Sequence, residues 1–317
     1  MPIETVLRWP YNDIMVKERL SKDFQTILFS FLLFLPMGAA AQTLHFESDG
    51  RIVFNSNFGG NDDIYLLTRN RLTKLTDDPA SDEWPVPDGK GDRIVFTSNR
   101  AGSFDIYFLD LKSRAVQRLT SDPRNEACPS WGPGDREIYY DLEVKRNAWK
   151  TMALDIATGI SRPLFPDQPF SGTALAFIDP SGNEIFFTGK IFLGWLVAKY
   201  NVPNRKYTEL TKKGSCRPKV SPDGTKIAYV CHDDDGLGDV FVMNTDGSGK
   251  RNMTPGRPDF HDYFPCFSPS GDTIVFSSSP KEKGKNAYQL YTLDLRSGEI
   301  VEIFAADGNS RFPYWFQ

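Results

Sequence analysis

Residues 217–244 read RPKVSPDGTKIAYVCHDDDGLGDVFVMN, and this stretch decides the fold. Pro222 presets the backbone φ of a turn, and Gly224 takes backbone angles that a side chain would resist. Side chains alternate along a strand, so Ile227 and Cys231 lie on the same face of the strand that follows the turn. A polar loop and another apolar run come next. The stretch therefore predicts one strand, a tight turn, a second strand, a loop and a third strand.

The same unit recurs six times along the chain. Its second strand begins with an isoleucine, and these isoleucines are Ile52, Ile94, Ile138, Ile185, Ile227 and Ile274. The intervals between them are 42, 44, 47, 42 and 47 residues. A period of roughly 40–45 residues with four short strands in each unit is typical of a β-propeller, a ring of four-stranded blades. The repeat predicts an all-β, six-bladed propeller over residues 42–317.

Other columns of the repeat share this period. A proline stands nine residues before most of the isoleucines, and one more follows the sixth unit; these prolines are Pro85, Pro129, Pro218, Pro265 and Pro313. Third strands carry an aspartate, an apolar residue and an aromatic one, as in residues 63–65, 105–107 and 239–241. Fourth strands end in an apolar residue and a threonine, as in residues 75–76, 119–120 and 253–254. Agreement between independent columns is what a structural repeat predicts.

These columns resemble the WD40-like repeats of the TolB family, whose pattern is Pro-x-Trp-Ser-Pro-Asp-Gly-x-x-Ile-x-Phe followed by Asp-Ile-Tyr. The likeness covers residues 43–317, and it is carried best by residues 218–224 and 98–107. Units three and four depart most, because residues 150–152 and 196–198 replace Asp-Ile-Tyr. The resemblance implies a non-catalytic propeller that binds a periplasmic or envelope-associated protein.

Composition and charge limit the class of function. The chain has 317 residues, of which 40% are hydrophobic and 13% aromatic, enough for a packed β core. Its formal net charge of −4 argues against a nucleic-acid partner, which would need a basic surface. The chain has only three histidines and none of the short motifs of Ser hydrolases, zinc proteases or phosphate-binding loops. We expect a monomeric binding protein. The alternative is a carbohydrate-active or metal-assisted enzyme, a lyase or hydrolase, with its site at the channel mouth.

The N-terminal region has the features of an export signal. Basic residues within 17–22 precede an unbroken apolar core at residues 27–35, and residues 39–41 are small, as at a cleavage site. Residues 15–41 are therefore predicted to be a signal peptide, and residues 1–14 an upstream extension or a misassigned start. An uncleaved membrane anchor is the alternative, but polar and helix-breaking residues within the segment disfavour it. The mature protein is expected to be periplasmic or secreted, with no membrane span.

The last residues restart the repeat and then stop. Phe312, Pro313 and Trp315 match the column of an inner strand, but no second strand follows them. Such a fragment can pair with residues 51–56, which completes blade one and removes a free sheet edge. Residues 44–46 compete for the same place. We favour the C-terminal segment because it matches the column better.

The loops divide between the two faces of the predicted ring. Turns between first and second strands are short and contain glycine; we call their side the short-turn face. Loops between blades, and between second and third strands, are longer and polar, and they open on the opposite, long-loop face. Binding residues concentrate on loops held by a rigid scaffold, so the long-loop face is the candidate site. The candidate partner-binding residues at its channel mouth are Asp82, Glu126, Asp262, His261, Arg124 and Arg311.

The three carboxylates stand at the same place in the repeat. Asp82, Glu126 and Asp262 each lie twelve residues before the isoleucine column, at the start of an inner strand. If they converge they could hold Ca²⁺, which prefers several oxygen ligands. Alternatively, each caps its own inter-blade turn or pairs with a nearby arginine, such as Arg124 or Arg311; in that case no cofactor is expected. We predict that reversing all three charges abolishes partner binding and leaves the fold intact.

One pair of the four cysteines is a candidate disulfide. If Val220 faces Ile227 across the turn, counting outward along both strands places Cys216 opposite Cys231. An exported protein could oxidise such a pair. The alternative for all four cysteines is a buried free thiol that packs as a small hydrophobic group.

Overall fold

The computed structural model describes residues 43–44, 46, 48, 50–69, 71–146, 148–232 and 236–317. The predicted signal peptide and the segment before it lie outside the described residues. Within the described ranges, no helix has both the length and the apolar character needed to cross a membrane.

Strands make up most of the described chain. In chain order they are β1 (Thr43–Leu44), β2 (Arg51–Ser56), β3 (Asp63–Thr68), β4 (Arg71–Lys74), β5 (Asp82–Pro87), β6 (Arg93–Ala101), β7 (Ser103–Asp110), β8 (Val116–Arg118), β9 (Glu126–Trp131), β10 (Glu137–Lys145), β11 (Ala148–Asp155), β12 (Ser161–Pro163), β13 (Gly172–Ile178), β14 (Glu184–Ile191), β15 (Gly194–Asn201), β16 (Lys206–Glu209), β17 (Ser215–Val220), β18 (Lys226–Cys231), β19 (Asp239–Asn244), β20 (Arg251–Asn252), β21 (Phe260–Phe267), β22 (Thr273–Pro280), β23 (Gln289–Asp294), β24 (Ile300–Ala305) and β25 (Ser310–Phe316). Two short 3-10 helices lie at Pro133–Asp135 and Lys281–Asn286.

These strands form six antiparallel sheets around a central channel. From the channel outwards, the blades are β25-β2-β3-β4, β5-β6-β7-β8, β9-β10-β11-β12, β13-β14-β15-β16, β17-β18-β19-β20 and β21-β22-β23-β24-β1. The six inner strands contact one another in cyclic order, so the ring is closed. The prediction of an all-β, six-bladed propeller is confirmed.

The C-terminal strand closes the ring. β25 supplies the inner strand of blade one, pairing with β2 from Arg51↔Phe316 to Ser56↔Ser310. β1 pairs instead with β24, at the outer edge of blade six. The favoured assignment of the C-terminal segment is therefore confirmed, and β1 does not form the inner strand.

The isoleucine column lies between neighbouring blades. All six of these isoleucines are at most 2% exposed, and each packs in a cluster with residues of the preceding blade. In the junction between blades six and one, for example, the ring centroids of Phe54 and Phe304 are 5.1 Å apart. Full burial of such a side chain contributes roughly 1.5–3 kcal/mol. The isoleucine column therefore forms part of the hydrophobic core between neighbouring blades, which a single unit could not form alone.

Each inner strand contains a β-bulge at its middle. The register against the second strand shifts by one residue in every blade. At each shift one residue other than glycine has φ between 53° and 58°, in the left-handed region; we call these six the left-handed layer, and they are Trp84, Cys128, Leu175, Arg217, Phe264 and Phe312. An extra residue in one strand reverses the faces of the residues beyond it. The bulge thereby places the side chains of the left-handed layer in the channel.

The bulge also corrects the predicted register of the cysteines. Val220 does face Ile227, but Cys231 lies opposite Ser215, and Cys216 lies opposite Val230. The prediction assumed strict alternation of side chains and did not include the extra residue of the bulge. Cys216 and Cys231 are therefore not opposite each other. All four cysteines of the chain are buried free thiols.

Candidate functional site

The central channel is lined by residues from all six inner strands, which run from the long-loop face to the short-turn face. The left-handed layer comes first, and the proline column follows it. Beyond the prolines lies a second set of channel side chains, which we call the lysine layer: Val86, Phe177, Lys219 and Tyr314. The channel encloses about 450 Å³ of space, counted out to the open solvent.

Aromatic rings narrow the channel at the left-handed layer. Trp84 and Phe312 stack with ring centroids 3.6 Å apart, and Phe264 meets Phe312 edge to face at 4.2 Å. Trp84 and Phe312 are buried, whereas Lys219 and Tyr314 in the lysine layer are only half-buried. Solvent therefore reaches the lysine layer from the short-turn face.

Arg217 is the charged member of the left-handed layer. Its guanidinium carbon lies 4.8 Å from the ring centroid of Phe264 and 5.0 Å from that of Tyr263. One of its Nη atoms donates to Cys216 Sγ at 3.0 Å. A guanidinium over aromatic faces is stabilised by the ring quadrupoles, and desolvation strengthens the effect. The arginine is thus part of the packed layer and carries its charge into the channel.

Lys219 lies one layer closer to the short-turn face. Its Nζ is 3.3 Å from the ring centroid of Phe177 and 4.4 Å from that of Tyr314. Burial lowers the pKa of this amine to about 7; the thiols of Cys266 and Cys128 oppose the shift. Within the described part of the chain, the amine has no carboxylate partner.

The repeat contains a signal for Lys219 that the sequence reasoning missed. The residues that follow the proline column, or Ala176 in blade four, are Val86, Ser130, Phe177, Lys219, Cys266 and Tyr314. Only one of the six is a charged residue, in a column where the other blades place apolar or small polar side chains. A charge that breaks a repeated apolar column at the axis of a propeller indicates function.

Two of the predicted carboxylates are buried in ion pairs. Both Asp82 oxygens accept from Nη2 of Arg100 at 2.9 Å, and Asp82 is 0% exposed. Asp262 accepts from Nε of Arg257 at 3.0 Å and is also 0% exposed. Burial raises the pKa of each carboxyl group, while the arginine and a serine of the adjacent strand oppose the rise. Each pair therefore belongs to its own blade junction.

Glu126 occupies the equivalent place in blade three without an arginine. It accepts from the backbone N–H of Asp122 at 3.4 Å and is 2% exposed. Burial raises its pKa to about 7, opposed by hydrogen bonds from Thr120 and the Asp122 backbone. Among the described residues, no group of three or more His, Cys, Asp or Glu side chains could hold a metal ion. The structure gives each of the three carboxylates separate local partners and no shared site.

The other predicted residues lie apart from one another. Arg124 pairs with Asp122 at 2.7 Å on the surface, while His261 is buried with its ring 6.3 Å from that of Tyr263. Arg311 contacts Asp62 at 3.1 Å at the junction of blades one and two. Of the six candidates, Arg311 is the one that adjoins the channel, because the next residue is Phe312.

A hairpin tip on the long-loop face exposes two apolar side chains. Phe192 and Leu193, between β14 and β15 of blade four, are 101% and 66% exposed. Lys190 lies beside them with Nζ 5.3 Å from the ring centroid of Trp195. The corresponding loop of blade two carries Arg100, which is held by Asp82. The sequence reasoning missed this tip, although two apolar residues before a glycine in a polar-loop position were its signal.

Known proteins similar to this chain include TolB proteins. Over 225 residues it is 25% identical to "Tol-Pal system protein TolB" of Francisella tularensis subsp. tularensis (strain WY96-3418), covering 67% of this chain and 50% of the relative. The relative from Francisella tularensis subsp. holarctica (strain OSU18) gives the same identity and coverage. The chain therefore spans about half the length of these curated relatives. No family model matches the chain.

Solved structures share the fold. TolB from Acinetobacter baumannii aligns with a TM-score of 0.73 and 20% identity, covering 85% of this chain and 67% of that one. An oligogalacturonate lyase in complex with manganese aligns with a TM-score of 0.51 and 14% identity, covering 84% and 74%. Identities this low show the fold alone. The chain is a closed, six-bladed β-propeller that is similar to TolB proteins in its repeat and in its fold.

Proposed function

We propose that this propeller is an exported, non-catalytic binding module of the cell envelope, and that it docks a protein partner on its long-loop face at blade four. The observation that carries the proposal is the apolar hairpin tip at Phe192 and Leu193. Exposed apolar groups that project together are typical of interaction sites, and aromatic residues are enriched among the anchors of protein interfaces. Lys190 beside the tip adds a positive charge, which favours a partner surface with acidic residues around an apolar pocket.

The names of the relatives suggest which partners to test first. The curated relatives are Tol-Pal system proteins, and the part they share with this chain includes most of its blades. We propose that the partner is a protein of that system in the same host. The propeller acts as a monomer in this proposal, because a rigid ring with one projecting tip needs no second copy to present it. Bound metal found by elemental analysis would instead favour the enzyme alternative.

Loss of the hairpin tip is expected to abolish docking. The double substitution Phe192→Ser and Leu193→Ser should weaken binding of Tol-Pal system proteins by about a hundredfold or more, because apolar anchors at the centre of an interface contribute about 2 kcal/mol or more each and 1.4 kcal/mol is about tenfold. The fold should be unaffected, since both side chains already lie in solvent. Pull-downs with purified partners, quantified by calorimetry, measure the effect.

Ile160 provides a matched control. It is 67% exposed, close to the value for Leu193, but it lies in the turn between β11 and β12 on the short-turn face. Ile160→Ser should leave binding unchanged. Equal binding by the tip variant and the wild-type protein would exclude blade four as the docking site. Equal loss in both variants would mean that the effect is non-specific.

Export is expected to remove residues 1–41. The prediction rests on the apolar core at residues 27–35 and the small residues at 39–41. Mass spectrometry of the protein from the periplasmic fraction of its own host should show an N-terminus at Gln42. A full-length product that fractionates with membranes would contradict both cleavage and periplasmic localisation.

A further inference from the structure

The channel combines two positive charges with apolar walls. Arg217 and Lys219 line it two residues apart on β17, and the walls around them are aromatic and proline side chains. None of the described residues that line the channel is acidic. The charge of the chain as a whole is negative, so this concentration of positive charge is local. A lysine in an apolar channel, with no carboxylate among the described lining residues, favours an anion as ligand.

Lys219 is the half-buried cation of the channel, and no carboxylate among the described residues pairs with it. Its amine faces the rings of Phe177 and Tyr314, and an ammonium over aromatic faces recovers only part of the hydration that burial removes. A charge that is partly withdrawn from water is stabilised by an opposite charge nearby, from the protein or from a ligand. A bound anion would supply the missing counter-charge.

We propose that the channel binds a small organic carboxylate with an aromatic or apolar body, its carboxylate at the Lys219 amine and its body against Phe177 and Tyr314. The site opens on the short-turn face, so it is separate from the docking surface proposed at blade four. A carboxylate fits better than phosphate, because one amine in apolar walls offers too few donors for a doubly charged group.

Calorimetry with three probes tests the proposal. Benzoate is expected to bind, whereas benzyl alcohol, which has the same ring without the charge, and inorganic phosphate should bind about tenfold more weakly or not at all. Lys219→Met should reduce benzoate affinity by about tenfold or more and leave benzyl alcohol unchanged. Lys226→Met is the matched control: this lysine is exposed on β18 of the same blade, and its loss should have no effect.

The pH dependence gives a second readout. Benzoate affinity should fall as the pH rises from about 6 to about 8.5, because the free amine loses its proton near pH 7. The other titratable groups facing it are the Cys128 and Cys266 thiols and the Tyr314 hydroxyl, and burial raises the pKa of each above its usual value. Arg217 stays charged across this range. The profile therefore reports Lys219.

Several outcomes would overturn the proposal. These are the absence of benzoate binding, equal binding of benzyl alcohol or phosphate, wild-type affinity in Lys219→Met, and an affinity that does not change with pH. The comparison of benzoate with benzyl alcohol uses the wild-type protein, so it holds even if a variant fails to fold. Thermal melts report folding directly, and benzoate should raise the melting temperature of the wild-type protein but not that of Lys219→Met.

Discussion

A chain that ends at Asn309 is expected to form no closed ring. Removing β25 deletes the inner strand of blade one, so the backbone groups of β2 that pair with it from Arg51 to Ser56 lose their partners. Two buried aromatic side chains, Phe312 and Phe316, are lost as well. Truncating one buried phenylalanine costs about 3–5 kcal/mol, and a domain has only about 5–15 kcal/mol in total. The truncated protein should be unfolded or aggregated through its open edge.

Circular dichroism and size-exclusion chromatography measure this result. A chain that begins at residue 46 is the control, because it removes β1 from the outer edge of blade six and keeps the buried Phe46. The control should remain monomeric and melt within a few degrees of the protein without its signal peptide. A truncation at Asn309 that melts like that protein would show that blade one is stable without β25.

Replacing Asp82 is expected to destabilise the fold strongly. Asp82→Ala leaves Arg100, whose side chain is 19% exposed, without the carboxylate that accepts two of its hydrogen bonds. Breaking one side of a buried pair costs roughly 3–5 kcal/mol, and we expect the lower end because Arg100 is partly hydrated. Asp82→Lys should cost more, since it places two positive charges together in the junction. Urea denaturation measures both free energies of unfolding.

The pair Arg124–Asp122 is the matched control for this prediction. Arg124 is 47% exposed, and exposed ion pairs contribute about 0–1 kcal/mol, so Arg124→Ala should change stability little. Restoring neutrality with Asp82→Ala and Arg100→Ala together should recover part of the loss. If Asp82→Ala is as stable as Arg124→Ala, the buried pair contributes nothing to the junction.

This prediction replaces the one made from sequence for the three carboxylates. Reversal of charge at Asp82, Glu126 and Asp262 was expected to spare the fold, on the assumption that the groups lie in solvent. All three are at most 2% exposed. We now expect the triple variant to unfold, so a loss of partner binding by it would carry no information about the binding site.

The repeat made the architecture predictable. In blade two, the second strand predicted at Ile94 is found at Arg93–Ala101, and the third-strand motif at residues 105–107 lies in Ser103–Asp110. Six copies of one pattern make the assignment of each strand more certain than a single copy would. The fragment at the end of the chain matches the inner-strand column, and only blade one lacks an inner strand for it to supply. Closure of the ring by the C-terminal strand was therefore predictable from the repeat as well.

The site was less predictable, because it depends on a β-bulge and on an ion pair between residues far apart in sequence. Strict alternation of side chains along a strand reveals neither. One extra residue in β17 moves Cys216 away from Cys231 and brings Arg217 into the channel. The partner of Asp82 stands 18 residues away, at the far end of the next strand, and nothing in the local sequence indicates it. Exposure of the carboxylates could therefore not be inferred from their place at the start of a strand.

The left-handed layer has a consequence for redesigning this protein. Each of its six residues adopts a backbone shape that costs an ordinary side chain roughly 1–2 kcal/mol and costs glycine little. The shape recurs with Trp, Cys, Leu, Arg and Phe, so the blade does not require a particular side chain there. The six positions around the channel axis can therefore accept different side chains. A library that varies these six residues could give the same ring new ligands. Glycine would relieve the local backbone strain, but in place of a buried aromatic residue such as Phe312 it would lose more in packing than it gains.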